Sequence, residues 1–253
     1  MGAILTDRVV VITGGSRGIG RAAAIAAAAR GYRTVVGYAS NEVAAKEVVA
    51  NIEAKNGKAI AVQCDVGKEA DILRLFEAAD KFGTLGALVN NAGIVGKSGV
   101  RVDEMSAERI QEMMAVNVTG SILCAREAVK RMSTKHGGKG GVIVNISSVA
   151  AKLGAPNTYV DYAASKGAID SFTLGLGHEV AGEGVRVVGI RPGLIDTEIH
   201  AAGGEPDRAH RLAHMVPMKR VGQAQEIANA IVWLMSDEAS YVTGTTLDVS
   251  GGR

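Results

Sequence analysis

The sequence lacks the features that mark several common classes of protein. Aromatic residues make up only 4% of it, so few flat rings are available to line a pocket for a polycyclic ligand. The net charge is +2, without the basic cluster that a nucleic-acid groove needs. The alanine-rich run over 22–29 is too short to span a membrane. We therefore expect neither nucleic-acid nor membrane partners.

Cysteine is equally scarce, since only Cys64 and Cys124 are present. No secretory signal is recognisable, so we expect two buried thiols in a cytoplasmic protein rather than a disulfide. A chain of 253 residues with 47% hydrophobic residues is long enough for one large α/β domain with a covered core. No linker, repeat or low-complexity tract divides it, which predicts a single domain over 1–253.

Strand-like and helix-like segments alternate along the chain. Candidate strands lie over 8–13, 34–38, 59–63, 87–90, 142–147, 185–190 and 246–249. Candidate helices lie over 18–30, 42–56, 68–82, 107–135, 159–182 and 225–235. Most of the strands are apolar on both faces, which is typical of a parallel sheet covered by helices on each side. This order predicts an α/β fold with a doubly wound sheet.

A glycine-rich turn follows the first candidate strand. It reads Thr13-Gly14-Gly15-Ser16-Arg17-Gly18-Ile19-Gly20 and leads into an alanine-rich helix. Glycines let a backbone approach a pyrophosphate closely, and a helix N-terminus presents free N–H groups to it. The spacing is G-x-x-x-G-x-G rather than G-x-G-x-x-G, but the position between strand and helix favours a nucleotide site.

Tyr162 and Lys166 stand four residues apart on one face of a predicted helix. A phenol has an ordinary pKa of about 10, and a nearby ammonium can lower it towards the working range. Such a tyrosine can give a proton to a carbonyl or take one from an alcohol. An isolated pair of this kind is more often two solvated residues, but here it accompanies the glycine-rich turn.

Taken together, these motifs resemble the classical short-chain dehydrogenase/reductase family over essentially the whole chain. The match covers T-G-x-x-x-G-x-G at 13–20, N-N-A-G at 90–93, Asn117, Ser148, the Tyr162/Lys166 pair and Pro192-Gly193. The nearest members are the bacterial glucose-1-dehydrogenase-like and 3-oxoacyl-carrier-protein-reductase-like proteins. The resemblance implies a Rossmann-type domain with seven parallel strands in the order 3-2-1-4-5-6-7 and helices on both faces.

The resemblance also implies a catalytic set. Ser148 would hydrogen-bond the reacting oxygen, Asn117 would anchor a water in a proton relay, and Tyr162 and Lys166 would act as above. Tyr159 is a possible decoy, but only Tyr162 has the four-residue spacing to Lys166. Hydride would pass between a nicotinamide cofactor and a small or medium carbonyl or alcohol, such as a 3-oxoacyl thioester or a sugar or polyol. The alternative is a cofactor-binding regulator without catalysis, which would be expected to lose the tyrosine or the lysine.

The glycine-rich turn together with the resemblance implies cofactor contacts along the carboxyl edge of the sheet. The residues are Gly14, Ser16, Arg17, Gly18, Ile19, Gly20, Ser40, Asn41, Asp65, Val66, Asn91, Ala92, Gly93, Tyr162, Lys166, Pro192, Gly193, Ile195 and Thr197. The second strand ends without the carboxylate that binds a ribose 2′-hydroxyl in NAD sites. Arg17, Ser40 and Asn41 could instead bind a 2′-phosphate, so NADP(H) is expected over NAD(H).

The segment over 194–217 interrupts the alternation and is expected to be a lid over the site, with Gly203 and Gly204 allowing it to move. His210 and His214 have i, i+4 spacing but no acidic third ligand, so a solvated lid helix is expected and no metal site. Lys97, Lys152 and His200 could meet polar or anionic substrate groups.

A homotetramer is expected from the resemblance. The two helices predicted over 107–135 and 159–182 pair across a two-fold axis in relatives, and the C-terminal segment forms a second interface. The second helix carries Phe172, Leu174 and Leu176, which are expected to be exposed; a pure core role is the alternative.

Overall fold

The computed structural model describes residues 8–253, which form nine strands and ten α-helices. The strands are β1 Arg8–Ile12, β2 Arg33–Tyr38, β3 Ala59–Gln63, β4 Thr84–Asn90, β5 Gly141–Ile146, β6 Val185–Pro192, β7 Ile195–Asp196, β8 Gly222–Gln223 and β9 Thr245–Val249. The helices are α1 Gly18–Ala29, α2 Glu42–Glu53, α3 Glu69–Phe82, α4 Ala107–Met114, α5 Gly120–Met132, α6 Ala150–Leu153, α7 Val160–Val180, α8 Ile199–Ala202, α9 Arg208–Arg211 and α10 Ala224–Met235.

Seven strands form one parallel sheet in the order β3-β2-β1-β4-β5-β6-β9. The chain runs outward from β1 in one direction, returns to β4 and runs outward in the other. Two-residue strands β7 and β8 pair with each other beside this sheet, so its last strand is the ninth in the chain. The predicted fold class and strand order are therefore confirmed.

Both faces of the sheet are buried because successive strand residues point to opposite sides. In β1, Val10 and Ile12 pack in a core with α1, α2 and α10, whereas Val9 and Val11 pack in a second core with α3, α5 and the end of α7. The alanines of α1 let that helix lie close to α10 and the sheet. This layering fixes the position of the carboxyl edge of the sheet, where the side chains of the candidate site lie.

The helix predicted over 107–135 was wrong as a continuous element. A π-helical turn over Ala115–Thr119 separates α4 from α5, and α5 ends at Met132. The segment after β6 also differs from the single lid helix that was expected, because it forms α8, α9 and a 3₁₀ turn at Ala213–Met215. Within residues 8–253, no helix is long and apolar enough to cross a membrane.

Candidate active site

The glycine-rich turn joins β1 to α1 with its backbone in conformations that glycine adopts readily. Gly14 and Gly18 have φ angles of +62° and +50°, in the left-handed region. A Cβ on Gly20 would lie 2.2 Å from the carbonyl oxygen of Gly14, so helix and turn touch with no room for a side chain. Arg17 gives no side-chain cap to α1, and the first turn of this helix contains no acidic residue. Its N-terminus therefore suits a phosphate group.

Asn91 and Thr13 hold this turn against the end of β4. The Asn91 amide nitrogen Nδ2 donates to the carbonyls of Thr13 and Gly14, each at 2.9 Å. The hydroxyl of Thr13 accepts from the backbone N–H groups of Asn91 and Ala92 at 3.1 and 3.0 Å. The turn is thus fixed before any ligand binds, which lowers the entropy cost of binding.

Tyr162 lies in the first turn of α7, facing the end of β5. Its side chain is hydrogen-bonded to that of Ser148. Ser147 points elsewhere, since its hydroxyl donates to the carbonyl of Lys166 at 3.1 Å. Tyr159 packs edge-on against Tyr162, with ring centroids 5.4 Å apart. The structure therefore joins Ser148, rather than its neighbour, to the tyrosine.

Lys166 is 4% exposed, and its ammonium donates to the carbonyl of Ile146 at 2.8 Å. Its Nζ lies 5.6 Å from the centroid of the Tyr162 ring. A Cβ on Gly93 would lie 3.5 Å from this ammonium, so the glycine at that position lets the chain pass close to it. The lysine thus occupies a narrow space between β5, the loop after β4 and the tyrosine.

The expectation that Lys166 lowers the pKa of Tyr162 was wrong for this arrangement. Burial raises the pKa of Tyr162 to about 12, although the hydrogen bond with Ser148 acts in the opposite direction. Burial lowers the pKa of Lys166 to about 8, against the attraction of Asp170. Desolvation therefore outweighs the hydrogen bond with Ser148 at Tyr162 and the attraction of Asp170 at Lys166, and near neutral pH the pair consists of a neutral phenol and an ammonium ion.

Asn117 lies in the π-helical turn and is completely buried. Its Oδ1 accepts from the N–H of Ile94 at 2.8 Å, and its Nδ2 donates to the carbonyl of Ile94 and the hydroxyl of Ser165, both at 3.0 Å. The side chain therefore ties the loop after β4 to α7, one residue from Lys166. A π turn places a residue where the α-helical register would not, and such turns are common at functional sites.

A cavity of about 460 Å³ is lined by many of the predicted site residues. Those lining it are Ile19, Asn91, Gly93, Ser148, Tyr162, Lys166, Pro192, Gly193, Ile195 and Thr197. Asn117 lies behind its wall. The other predicted cofactor residues do not line it: Gly14, Ser16, Arg17, Gly18 and Gly20 belong to the glycine-rich turn, Ala92 follows β4, and Ser40, Asn41, Asp65 and Val66 follow β2 and β3.

Two of these outer residues have structural contacts of their own. Asn41 caps α2, since its Oδ1 accepts from the N–H of Ala44 at 3.0 Å. Asp65 accepts from the N–H of Gly67 at 3.0 Å and lies 3.3 Å from the ammonium of Lys68. Arg17 and Ser40, in contrast, are exposed. The cap could have been found from the sequence, because asparagine directly before a helix is a common N-cap.

The far wall of the cavity comes from the segment over 194–217. It contributes Ile199, His200, Gly203, Glu205, Arg208, Leu212 and Met215. The sequence analysis missed Glu205 and Arg208; their i, i+3 spacing was the available signal. The N–H of Ser98 donates to the carbonyl of Gly203 at 3.0 Å, which joins this segment to the loop after β4.

The basic residues expected near a substrate have different surroundings. Lys152 forms an ion pair with Asp248, and Lys97 does not line the cavity. His200 does line it, but burial lowers the pKa of its imidazole, and its Nε2 lies 3.0 Å from the carbonyl of Ile195.

The two histidines considered as a metal pair have separate partners. His210 lies 3.4 Å from Asp196, and His214 contacts the carbonyl of Arg211 at 3.0 Å. In the described part of the chain, no group of three His, Cys, Asp or Glu side chains is placed to hold a metal ion.

A buried ion pair supports the start of α7. The guanidinium of Arg109 donates to both carboxylate oxygens of Asp161, at 2.7 and 3.2 Å, and to the carbonyl of Lys97 at 2.9 Å. Burial acts to raise the pKa of Asp161, but the hydrogen bonds and charge of Arg109 together with the backbone N–H groups of Tyr162 and Asp161 outweigh it and lower that pKa. Because Asp161 directly precedes Tyr162, this pair fixes the turn that carries the tyrosine.

Comparison with known proteins gives consistent matches. A family model described as enoyl-(acyl carrier protein) reductase matches residues 14–253. The uncharacterized oxidoreductase YgfF of Escherichia coli (strain K12) is 54% identical over 97% of this chain and 99% of its own. Glucose 1-dehydrogenase 2 of Bacillus subtilis (strain 168) is 41% identical over 98% and 95%. A short chain dehydrogenase from Burkholderia cenocepacia J2315, solved in complex with NADP, has a TM-score of 0.89 at 31% identity and 98% coverage of both chains.

Proposed function

The chain belongs to the short-chain dehydrogenase/reductase family, and we propose on that premise that it interconverts a small or medium-sized carbonyl compound and its alcohol with NADP(H), using Tyr162 as the general acid and base. The observation that carries the proposal is the meeting of Tyr162, Ser148 and Lys166 on the wall of one cavity that also reaches Ile19, next to the glycine-rich turn. The cofactor supplies or accepts the hydride when it is bound.

The fit of the cofactor is supported by the turn itself. Gly20 leaves space only for a hydrogen atom against Gly14, and the uncapped N-terminus of α1 offers donors for a pyrophosphate. Asn91 keeps the turn in place. Pro192, Gly193, Ile195 and Thr197 line the cavity on the side of β6 and would hold the nicotinamide end.

The protonation states favour carbonyl reduction near neutral pH. With a pKa of about 12, Tyr162 holds its proton and can donate it to a carbonyl oxygen that has accepted hydride at carbon. Ser148 is placed to hydrogen-bond the same oxygen. Lys166, with a pKa of about 8, is an ammonium ion at pH 7 and stabilises the phenolate that remains. Asn117 keeps the wall behind this group in position.

The test is Tyr162→Phe, which removes the transferable proton and little packing. We expect turnover of NADPH with a panel of ketones, aldehydes, 3-oxoacyl thioesters and sugars to fall by about 10²- to 10⁴-fold. Binding of NADPH, followed by its fluorescence, should change little. Activity within about tenfold of the unsubstituted enzyme contradicts the assignment of Tyr162.

We propose a preference for NADP(H) over NAD(H). No carboxylate occurs in Ala39-Ser40-Asn41 after the end of β2; Arg17 in the glycine-rich turn and Ser40 after β2 are both exposed. Arg17→Gln should reduce kcat/KM for NADPH by about tenfold and leave that for NADH nearly unchanged, since a charge-assisted contact to the 2′-phosphate is lost. Arg21→Gln, one turn further along α1, is the matched control. Equal or better efficiency with NADH in the unsubstituted enzyme refutes the preference.

We further propose that one domain spans 1–253 and that the segment over 194–217 closes over the substrate. The contact of Gly203 with Ser98 supports a closed position, and Gly204 has a φ angle of +81° with open space around it. Protection of this segment from hydrogen exchange should increase when substrate and NADPH bind together. Equal exchange with and without ligand argues against closure.

A homotetramer is also proposed, with one correction to the sequence analysis. Phe172 and Leu176 pack against the core, whereas Leu174 is exposed. Ile110, Met114 and Ile122 on α4 and α5 are exposed as well and would share its interface. Cys64 and Cys124 are free and buried, which supports a reducing compartment such as the cytoplasm.

A further inference from the structure

Arg208 stands out in the cavity because a charged side chain is almost enclosed there. It begins α9, lines the same cavity as Tyr162 and is only 15% exposed at its side chain. Its guanidinium carbon lies 5.2 Å from the centroid of the Tyr159 ring, and that ring packs edge-on against Tyr162. The two ring contacts place the guanidinium one aromatic side chain away from the proposed proton donor.

The hydrogen-bond donors of Arg208 are unused. Its Nε is buried and has no partner, and its nearest carboxylate oxygen, on Glu205, lies 3.7 Å from Nη1, beyond hydrogen-bond distance. Among residues 8–253, none accepts a hydrogen bond from its guanidinium. Burying the Nε–H donor of a guanidinium without an acceptor costs free energy, and the group has further N–H donors that can bind an acceptor. A planar oxyanion in the cavity would give this guanidinium a hydrogen-bond acceptor.

Glu205 does not take this place because it is held by other residues. It forms an ion pair with Arg211, and its hydrogen bond with the hydroxyl of Ser98 holds the pKa of its carboxyl below the usual range. It therefore stays ionised, but it comes only to 3.7 Å from Nη1 of Arg208 and makes no hydrogen bond with the guanidinium. The ring of Tyr159 covers a face of the guanidinium and leaves its edge free for a ligand.

The charges lining the cavity favour an anion. The lining side chains of Lys166 and Arg208 are cationic, and the anionic side chain of Glu205 is already paired with Arg211. His200 adds no positive charge near neutral pH, because burial and the nearby Arg208 lower its pKa. An anionic group would thus meet an excess of positive charge in a partly desolvated space, where such interactions are strong.

We propose that Arg208 determines substrate specificity by binding a carboxylate of the substrate, several bonds from the carbonyl that Tyr162 protonates. The substrate class is then an oxo acid in which a flexible chain separates ketone or aldehyde from carboxylate. This inference rests on the proposed function, because it assumes that the carbonyl is reduced at Tyr162. Arg208 makes a charge-assisted, two-point contact with the carboxylate and orients the carbonyl in the cavity.

The experiment compares levulinate with its uncharged amide, which has the same shape at the carbonyl. The ratio of kcat/KM for acid over amide should be about 10- to 100-fold, as for one charge-assisted contact. Arg208→Gln should bring this ratio close to one while kcat/KM for the amide stays within about threefold. Arg208→Lys should restore part of the preference. Arg211→Gln is the matched control, because Arg211 also pairs with Glu205 but does not line the cavity.

A binding measurement separates this proposal from the proposed function. Levulinate and its amide are titrated calorimetrically into Tyr162→Phe saturated with NADPH, with and without Arg208→Gln. Tighter binding of the acid that is lost with Arg208→Gln supports the proposal even if catalysis by Tyr162 fails. Equal or undetectable binding of acid and amide, or an acid preference that survives Arg208→Gln, overturns the proposal even if both ketones are reduced.

Discussion

Replacing Asp161 by asparagine tests how strongly the ion pair before Tyr162 supports the fold. The carboxylate is 4% exposed and accepts two hydrogen bonds from Arg109, whose side chain is 17% exposed. Asparagine keeps the shape and one acceptor but leaves the arginine charge uncompensated. Removing one partner of a buried pair costs about 3–5 kcal/mol, and we expect about 3 kcal/mol here because one acceptor remains.

A double-mutant cycle with Arg109→Met isolates the interaction energy between Arg109 and Asp161. In urea unfolding, the double variant should be more stable than Asp161→Asn alone, because no unpaired charge is left inside. Lys46→Gln provides the control: its partner Glu42 lies one turn away on α2, both side chains are largely exposed, and the unfolding midpoint should barely change. A coupling energy below about 0.5 kcal/mol between Arg109 and Asp161 refutes the reasoning.

The same pair predicts a definite dependence of stability on pH. The folded-state pKa of Asp161 lies below its ordinary value of 3.8. Its contribution is therefore fully present above that ordinary value and is lost as the pH falls through the lowered folded-state pKa. The difference in stability between the unsubstituted protein and Asp161→Asn should be constant near neutrality and shrink below about pH 4. A difference that grows on acidification contradicts the assigned sign.

Three further predictions concern other parts of the molecule. Lys166→Met should abolish turnover yet raise the Tm, and the gain in Tm should be larger at about pH 6.5 than at about pH 9.5. The reason is that burial lowers the folded-state pKa of the lysine to about 8, so folding below this pH must bury a charged ammonium. Calorimetry at both pH values measures the gain, and an equal gain at the two pH values contradicts the prediction. Gly20→Ala should destabilise the protein by about 1–3 kcal/mol and weaken NADPH binding, because the new methyl group would lie 2.2 Å from the carbonyl oxygen of Gly14 and 2.5 Å from Nδ2 of Asn91. Unchanged thermal unfolding of this variant contradicts the predicted clash. Light scattering at micromolar concentration should give a tetramer, and Leu174→Glu should dissociate it, whereas a monomer before substitution rules the assembly out.

The sheet and its edge could be predicted from the sequence because local signals and tertiary structure agree there. Runs such as Arg8–Ile12 are β-branched and apolar on both faces, which only a sheet covered on both sides accommodates. The glycine-rich turn and the tyrosine–lysine pair are short local patterns whose geometry follows from a strand, a turn or one helical face. Those residues accordingly lie where they were expected.

The features that the sequence analysis missed depend on contacts between segments that are far apart in the sequence. The π-helical turn at Ala115–Thr119 has no local signal: it accompanies the hydrogen bonds of Asn117 to Ile94 and to Ser165, 23 and 48 residues away. The raised pKa of Tyr162 depends on burial, which the Y-x-x-x-K spacing does not contain. Arg208 lies in a segment that reads as a charged surface, because its enclosure comes from Tyr159 and the rest of the cavity.

The two walls of the cavity contribute differently to the stability of the fold. The wall with Ser148, Tyr162 and Lys166 is built from β5 and α7. Because these elements also maintain the packing of the sheet, substitutions in this wall are expected to lower the stability of the fold. The opposite wall consists of short helices within 194–217 that contribute few residues to either core. If the proposed function holds, recombination or loop grafting within this segment would change the substrate range without touching the residues proposed for proton transfer, which makes the segment a target for directed evolution.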